Sequence, residues 1–158
     1  MMKLSYDVIQ CLKGKTLVTA ESCTGGGIGT ALTAVSGSSA VYKGGIISYV
    51  NEIKADMLHV DPLVLEREGA VSASVAEAMA IGARNVLNAD IAVSVTGLAG
   101  PGGDEFGNPV GTVYIGYSDV VHTVSKHYVF SGDREEVRTQ AVASALKMIL
   151  QEVQNEGN

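Results

Sequence analysis

The chain has 158 residues, 46% of them hydrophobic and 18% charged, with a formal net charge of -6. That length supports one domain with a real buried core, and the composition is far from that of a disordered chain. The acidic balance gives no electrostatic footing on phosphate backbones or anionic membranes, which counts against nucleic-acid and membrane binding as functions.

The opening "MMKLSYDVIQCLKG" is amphipathic and carries Asp7 and Lys13 within it, unlike a signal peptide. Leu4, Val8, Cys11 and Leu12 recur at helical spacing, and Gly14 closes the segment. "TLVTA" (residues 16–20) is β-branched and predicts a buried strand, followed by the turn "ESCTGG". Residues 26–35 predict a helix with Ile28, Leu32 and Val35 on one face, and "SGSS" (36–39) a loop. "VYKGGIISYV" (41–50) predicts a strand that Tyr49 ends, with Gly44 and Gly45 marking a bulge.

"NEIKADMLHV" opens with Asn51, a good N-cap, and has helical spacing. A helix then starts at Ser72 or Ser74 and runs to about Asn88, with Val75, Met79, Ala83, Val86 and Leu87 inward. Ser74 and Glu77 fit a capping box. "DIAVSVTG" predicts a continuous apolar strand leading into the glycine-rich "GLAGPGGDEFGNPVG". "TVYIGY" and "HTVSKHYVF" predict an antiparallel pair. The final helix is capped by Asp133 with Glu136 three residues on, and Val137, Ala141, Ala145, Met148 and Ile149 line one face. Alternating helices and strands followed by consecutive strands predict a mixed sheet of about five strands with helices on both faces.

The chemistry-bearing stretches sit where strands end. "AESCTGGG" is a strand-turn-helix junction whose free N–H groups suit a phosphate or an oxyanion, and its glycines allow close approach. No Gly-Lys-Ser/Thr follows, so it is not a Walker A loop. The plainer reading is a helix cap with close helix–sheet packing. Ser22 can be a nucleophile if a lysine serves as its base, which requires that lysine to lose its proton near neutral pH. Cys23 at a helix start is a second candidate, although His59, His122 and His127 form no Cys-His signature.

Lys54, one turn into its helix, can point back to the strand end. If the strands before Ser22 and Tyr49 are parallel neighbours, Ser22, Tyr49 and Lys54 converge at their carboxyl ends. The plainer reading of Lys54 is a solvated helix lysine. The glycine loop should lie at the same edge, where its N–H groups can line a pocket. Arg134 and Arg138, four apart near a helix start, can grip a phosphate or simply pair with neighbouring acids. Cys11 and Cys23 lack metal-ligand spacing and a disulfide framework, which points to a reducing cytoplasm.

Five stretches, "TAESCTGG", "GSSAVYKGGIISYVNEIK", "GAVS", "VSVTGLAGPGGDEFGNPVGTVYIG" and "SGDREEVR", resemble in order and spacing the CinA C-terminal domain family. The resemblance implies a three-layer α/β/α sandwich in one domain over residues 1–158. It implies hydrolysis of the carboxamide of nicotinamide mononucleotide (NMN) to nicotinic acid mononucleotide and ammonia, without metal or cofactor. The family's "ESCTGG" serine falls on Ser22, and the tyrosine and lysine of its "Y-x-N-E-x-K" motif fall on Tyr49 and Lys54. Val50 departs from the serine common there.

On this reading Lys54 takes the Ser22 proton directly or through Tyr49, and N–H groups of Cys23, Thr24, Gly25 and Gly26 hold the oxyanion. Ser38, Ser39, Gly97, Gly100, Gly102, Gly103 and Arg134 are candidates for the phosphate, and Asn51 joins the substrate-binding set. Glu21 either orients Lys54 or satisfies buried backbone. Larger members carry an extra N-terminal domain, whose chemistry is expected to be absent here. A homodimer or higher homo-oligomer is expected. The competing readings are a non-catalytic nucleotide-binding or adaptor domain linked to competence and DNA-damage responses, and a hydrolase using Cys23.

Overall fold

In the computed structural model, which describes residues 1–156, helices and strands follow one another in nearly the predicted order. They are α1 (Met2–Cys11), β1 (Leu17–Glu21), α2 (Gly27–Thr33), a 3-10 turn (Ser38–Ala40), β2 (Tyr42–Ile47), α3 (Asn51–Leu58), α4 (Pro62–Glu68), α5 (Ala73–Val86), β3 (Ile91–Gly97), β4 (Thr112–Ser118), β5 (Thr123–Val129) and α6 (Arg134–Glu156). The strands form one mixed sheet in the order β2-β1-β3-β4-β5. β1 pairs in parallel with β2 and β3, whereas β4 runs antiparallel to β3 and to β5.

Side-chain alternation along the strands divides the core in two. Leu17, Val93, Val95, Ile115 and Tyr117 point to the face covered by α1, α2 and α6. Val18, Ala20 and Ala92 point to the face covered by α3, α4 and α5, where Leu58, Leu65 and Met79 meet them. The result is a three-layer α/β/α sandwich, because strands buried on both faces need helices on both. The predicted face of α6 is buried at Val137, Ala141, Ala145, Met148 and Ile149. Its start is reciprocally capped: the Glu136 N–H donates to Asp133 Oδ1 at 2.9 Å and the Asp133 N–H to Glu136 Oε1 at 3.0 Å. The bulge expected at Gly44 is present as a register shift beside Leu17 and Val18.

Four local expectations are corrected. β2 ends at Ile47, so Tyr49 lies in the turn beyond it. Val50, not Asn51, is the N-cap of α3, and its apolar side chain has no acceptor with which to cap the helix. Ser72 caps α5 by accepting from the Val75 N–H, while Ser74 donates to Glu68 and Glu77 accepts from Ser125, so the Ser74–Glu77 box does not form. Val86, the last residue of α5, is exposed, while Ala83 is buried and Leu87 packs against the core.

α5 crosses the end of α3 at backbone contact. A Cβ on Gly82 would lie 1.9 Å from the Leu58 carbonyl oxygen, closer than any real packing allows. Gly82→Ala gains about 1 kcal/mol of helix propensity and must push the two helices apart. The expected net loss is about 2 kcal/mol, read as a lower urea midpoint with unchanged slope. An unchanged or higher midpoint contradicts this contact.

Candidate active site

β1, β2 and β3 are parallel, so their carboxyl ends share one edge of the sheet. Each delivers a segment there: Ser22 after β1, the turn to α3 after β2, and the glycine-rich loop after β3. A cavity of about 290 Å³ opens among them. Ser22 follows Ala20 on the α3 face by strand alternation, and Lys54 reaches back from the first turn of α3.

The two side chains meet. Lys54 Nζ lies 3.2 Å from Ser22 Oγ and donates to the Tyr49 carbonyl, also at 3.2 Å. Ser22 Oγ lies 3.4 Å from the same carbonyl. Lys54 is 1% exposed, and burial lowers its pKa from 10.5 to about 8 against a small opposing effect of Cys23. The triangle suits both protonation states. An ammonium donates to both oxygens; a neutral amine donates to the carbonyl and turns its lone pair to the serine proton. Such an amine can serve as a general base near neutral pH.

Cys23 lines the same cavity but is buried, and desolvation pushes its thiol up to about 11 despite the nearby charges of Arg138 and Lys54. It is a thiol at neutral pH, which counts against Cys23 as the second candidate nucleophile.

Glu21 is resolved in favour of backbone satisfaction. Its buried carboxylate accepts from Thr24 Oγ1 at 2.7 Å, the Ile28 N–H at 2.8 Å and the Gly29 N–H at 3.0 Å. The chain's own acid therefore fills the start of α2, so that helix start is no anion site. The same bond turns the Thr24 hydroxyl inward and leaves its backbone N–H, the group expected to act on the oxyanion, unused by it.

The remaining candidates divide. Asn51, Gly97, Gly100, Gly102 and Arg134 line the cavity with Ser22, Tyr49 and Lys54. Gly103 does not. Gly25 and Gly26 adopt positive φ to make the turn, Gly25 lying under Arg138 and Gly26 facing Ile47. Ser38 and Ser39 precede β2, at the opposite end of the parallel strands from Ser22, and are not brought to the cavity. Tyr49 is split between two roles. Its carbonyl holds Lys54, while its hydroxyl accepts from Arg134 Nη2 at 2.9 Å. Arg134 also donates to the Gly100 carbonyl at 2.7 Å, closing a rim across the cavity.

The sequence reading missed Thr96, buried at the end of β3 and bonded to the Ala70 carbonyl, and the apolar wall of Ala70, Val71, Leu98 and Ala99. Ala70 and Val71 belong to the "GAVS" stretch, whose position beside the cavity depends on how α4 and α5 pack. Among the described residues, no group of three or more His, Cys, Asp or Glu is placed to hold a metal ion. None of the described helices is long and apolar enough to cross a membrane.

The fold defines a three-layer α/β protein with a buried serine–lysine pair in a cavity at a sheet edge. Residues 2–153 match the family described as the CinA C-terminal domain, and the chain belongs to that family. The nicotinamide-nucleotide amidohydrolase PncC of Escherichia coli (strain K12) is 44% identical over 96% of this chain and 94% of its own length. A CinA-like protein of Synechococcus sp. (strain RCC307) is 49% identical over 92% of this chain and 36% of its own length. The chain thus spans about a third of the length of relatives of the latter kind. A crystal structure of a CinA superfamily protein from Klebsiella pneumoniae superposes with a TM-score of 0.94 at 34% identity, covering 98% of both chains.

Proposed function

We propose that this chain hydrolyses the carboxamide of NMN to nicotinic acid mononucleotide and ammonia through an acyl-enzyme on Ser22. The observation that carries the reading is the 3.2 Å approach of a buried, pKa-lowered Lys54 to Ser22 Oγ. The substrate class is supported by likeness to the Escherichia coli amidohydrolase over nearly all of both chains.

Neutral Lys54 takes the Ser22 proton as Oγ attacks the carboxamide carbon. The carbonyl oxygen becomes an oxyanion held by N–H groups of the turn after Ser22, each worth about 3 kcal/mol in hydrolases of this kind. The Lys54 ammonium returns its proton to the amide nitrogen, the C–N bond breaks, and ammonia leaves. Water then gives a proton to Lys54 and attacks the ester carbon; the ester C–O bond breaks, Ser22 recovers its proton, and the carboxylate product departs. Tyr49 contributes its carbonyl to Lys54, and its hydroxyl joins Arg134 at the rim, where the guanidinium is the cation available to the substrate phosphate.

Ammonia release from NMN tests this. Ser22→Ala is expected to lower the rate by about a thousandfold or more, while Cys23→Ala stays within a fewfold of wild type. The reverse pattern makes Cys23 the nucleophile. Tight nucleotide binding with no ammonia from NMN or nicotinamide would favour the non-catalytic nucleotide-binding domain.

A further inference from the structure

Arg138 has no place in the chemistry above, yet it reaches across from α6 to the turn that carries the nucleophile. Its Nε donates to the Cys23 carbonyl at 3.0 Å and its Nη2 to the Thr24 carbonyl at 3.2 Å. The guanidinium lies over Gly25, 3.4 Å from where a Cβ would stand there. We propose that Arg138 is a positioning residue that orients the Thr24 N–H of the turn after Ser22 as an oxyanion donor. The proposal rests on the acyl-enzyme reading of Ser22.

The peptide plane supplies the reason. In a trans peptide the carbonyl and the following N–H point in opposite directions. Holding the Cys23 carbonyl toward α6 aims the Thr24 N–H away from α6. Holding the Thr24 carbonyl aims the Gly25 N–H away too, where it closes the turn on the Ser22 carbonyl at 3.0 Å. α6 covers one face of the sheet, and Ser22 and Lys54 meet on the other. Arg138 therefore turns the Thr24 N–H toward the side on which the oxyanion forms. Thr24 cannot swing freely, because its hydroxyl is tied to Glu21. A planar fork spanning two successive carbonyls is a geometry lysine cannot reproduce.

The test compares wild type, Arg138→Ala and Arg138→Lys for ammonia release from NMN and for covalent labelling of Ser22 by a fluorophosphonate, whose phosphoryl oxygen also develops oxyanion charge. For Arg138→Ala we expect kcat to fall about 10–100-fold with KM within twofold, labelling to slow in parallel, and the pH limb set by Lys54 to keep its midpoint. Arg138→Lys recovers little, and guanidinium ion partly rescues Arg138→Ala. A variant that keeps kcat and labelling rate, or loses activity only through a raised KM or a displaced pH limb, overturns the proposal. Wild type that labels at Ser22 but releases no ammonia sinks the amidase reading alone, and the labelling rates still judge Arg138. Wild type that does neither sinks both.

Discussion

Lys54→Met is expected to lose ammonia release by about 10³-fold or more while gaining stability at pH 7. Both effects come from one buried amine. Methionine fills the space of the lysine stem and removes the base, so Ser22 keeps its proton. The folded protein holds Lys54 at 1% exposure with a pKa of about 8, against 10.5 for the free side chain. Between those values the unfolded chain binds more protons than the folded one, so wild-type stability rises with pH across that window. Below about pH 8 both states are protonated, and the full penalty of burying the ammonium is present, on the order of 3 kcal/mol. It is relieved as pH climbs toward 10.5.

The measurement is a urea midpoint at pH 7 and pH 10 for both proteins. Wild type should gain stability at the higher pH relative to Lys54→Met, and the variant should exceed wild type at pH 7. Wild-type activity should rise through an apparent pKa of about 8, with roughly a tenth of molecules carrying the neutral amine at pH 7. A variant that retains near-normal kcat, or one whose stability follows pH as wild type does, contradicts this role for Lys54.

Glu21→Ala is expected to be among the most destabilising changes in the chain. The carboxylate is 2% exposed and accepts two backbone N–H bonds and one hydroxyl bond. Its removal strands the Ile28 and Gly29 N–H groups and the Thr24 hydroxyl at the largely buried start of α2. Each stranded buried donor costs about 1–3 kcal/mol, so a loss of about 4 kcal/mol is expected, lowering Tm by about 10 °C. Activity should fall as well, because Ser22 is the next residue and the turn is anchored through Thr24. Glu21→Gln keeps the shape and one acceptor oxygen and should lie between. If Glu21→Ala unfolds within 2 °C of wild type, water satisfies those donors and the assignment is wrong.

Most of the secondary structure was legible in local pattern. The apolar face of α6, the β-branched run of β1, the apolar run of β3 and the capping pair Asp133–Glu136 are each properties of a few neighbouring residues. Where two serines competed to cap α5, the answer came from elsewhere: Glu68 and Ser125 claimed Ser74 and Glu77, and neither partner is visible from the local spacing. The motif residues Ser22, Tyr49 and Lys54 were singled out in the sequence, but the role of each side chain was not legible there. A relay through Tyr49 stands beside direct transfer as an alternative, and the Tyr49 hydroxyl is bound by Arg134, 85 residues away.

The sequence by itself determined most of the helices and strands, α4 excepted, and that two strand-to-helix junctions carry a serine and a lysine. Only the tertiary structure decided that parallel pairing brings these groups, 32 residues apart, into contact, and that the packing of α3 removes the amine from water. It likewise decided that Glu21 fills the start of α2 and that Cys23 stays protonated. The physical reason is the same throughout. Periodicity and propensity report what a residue does with its near neighbours, whereas a pKa, a buried hydrogen bond or a cavity wall is set by atoms that the fold brings from distant parts of the chain.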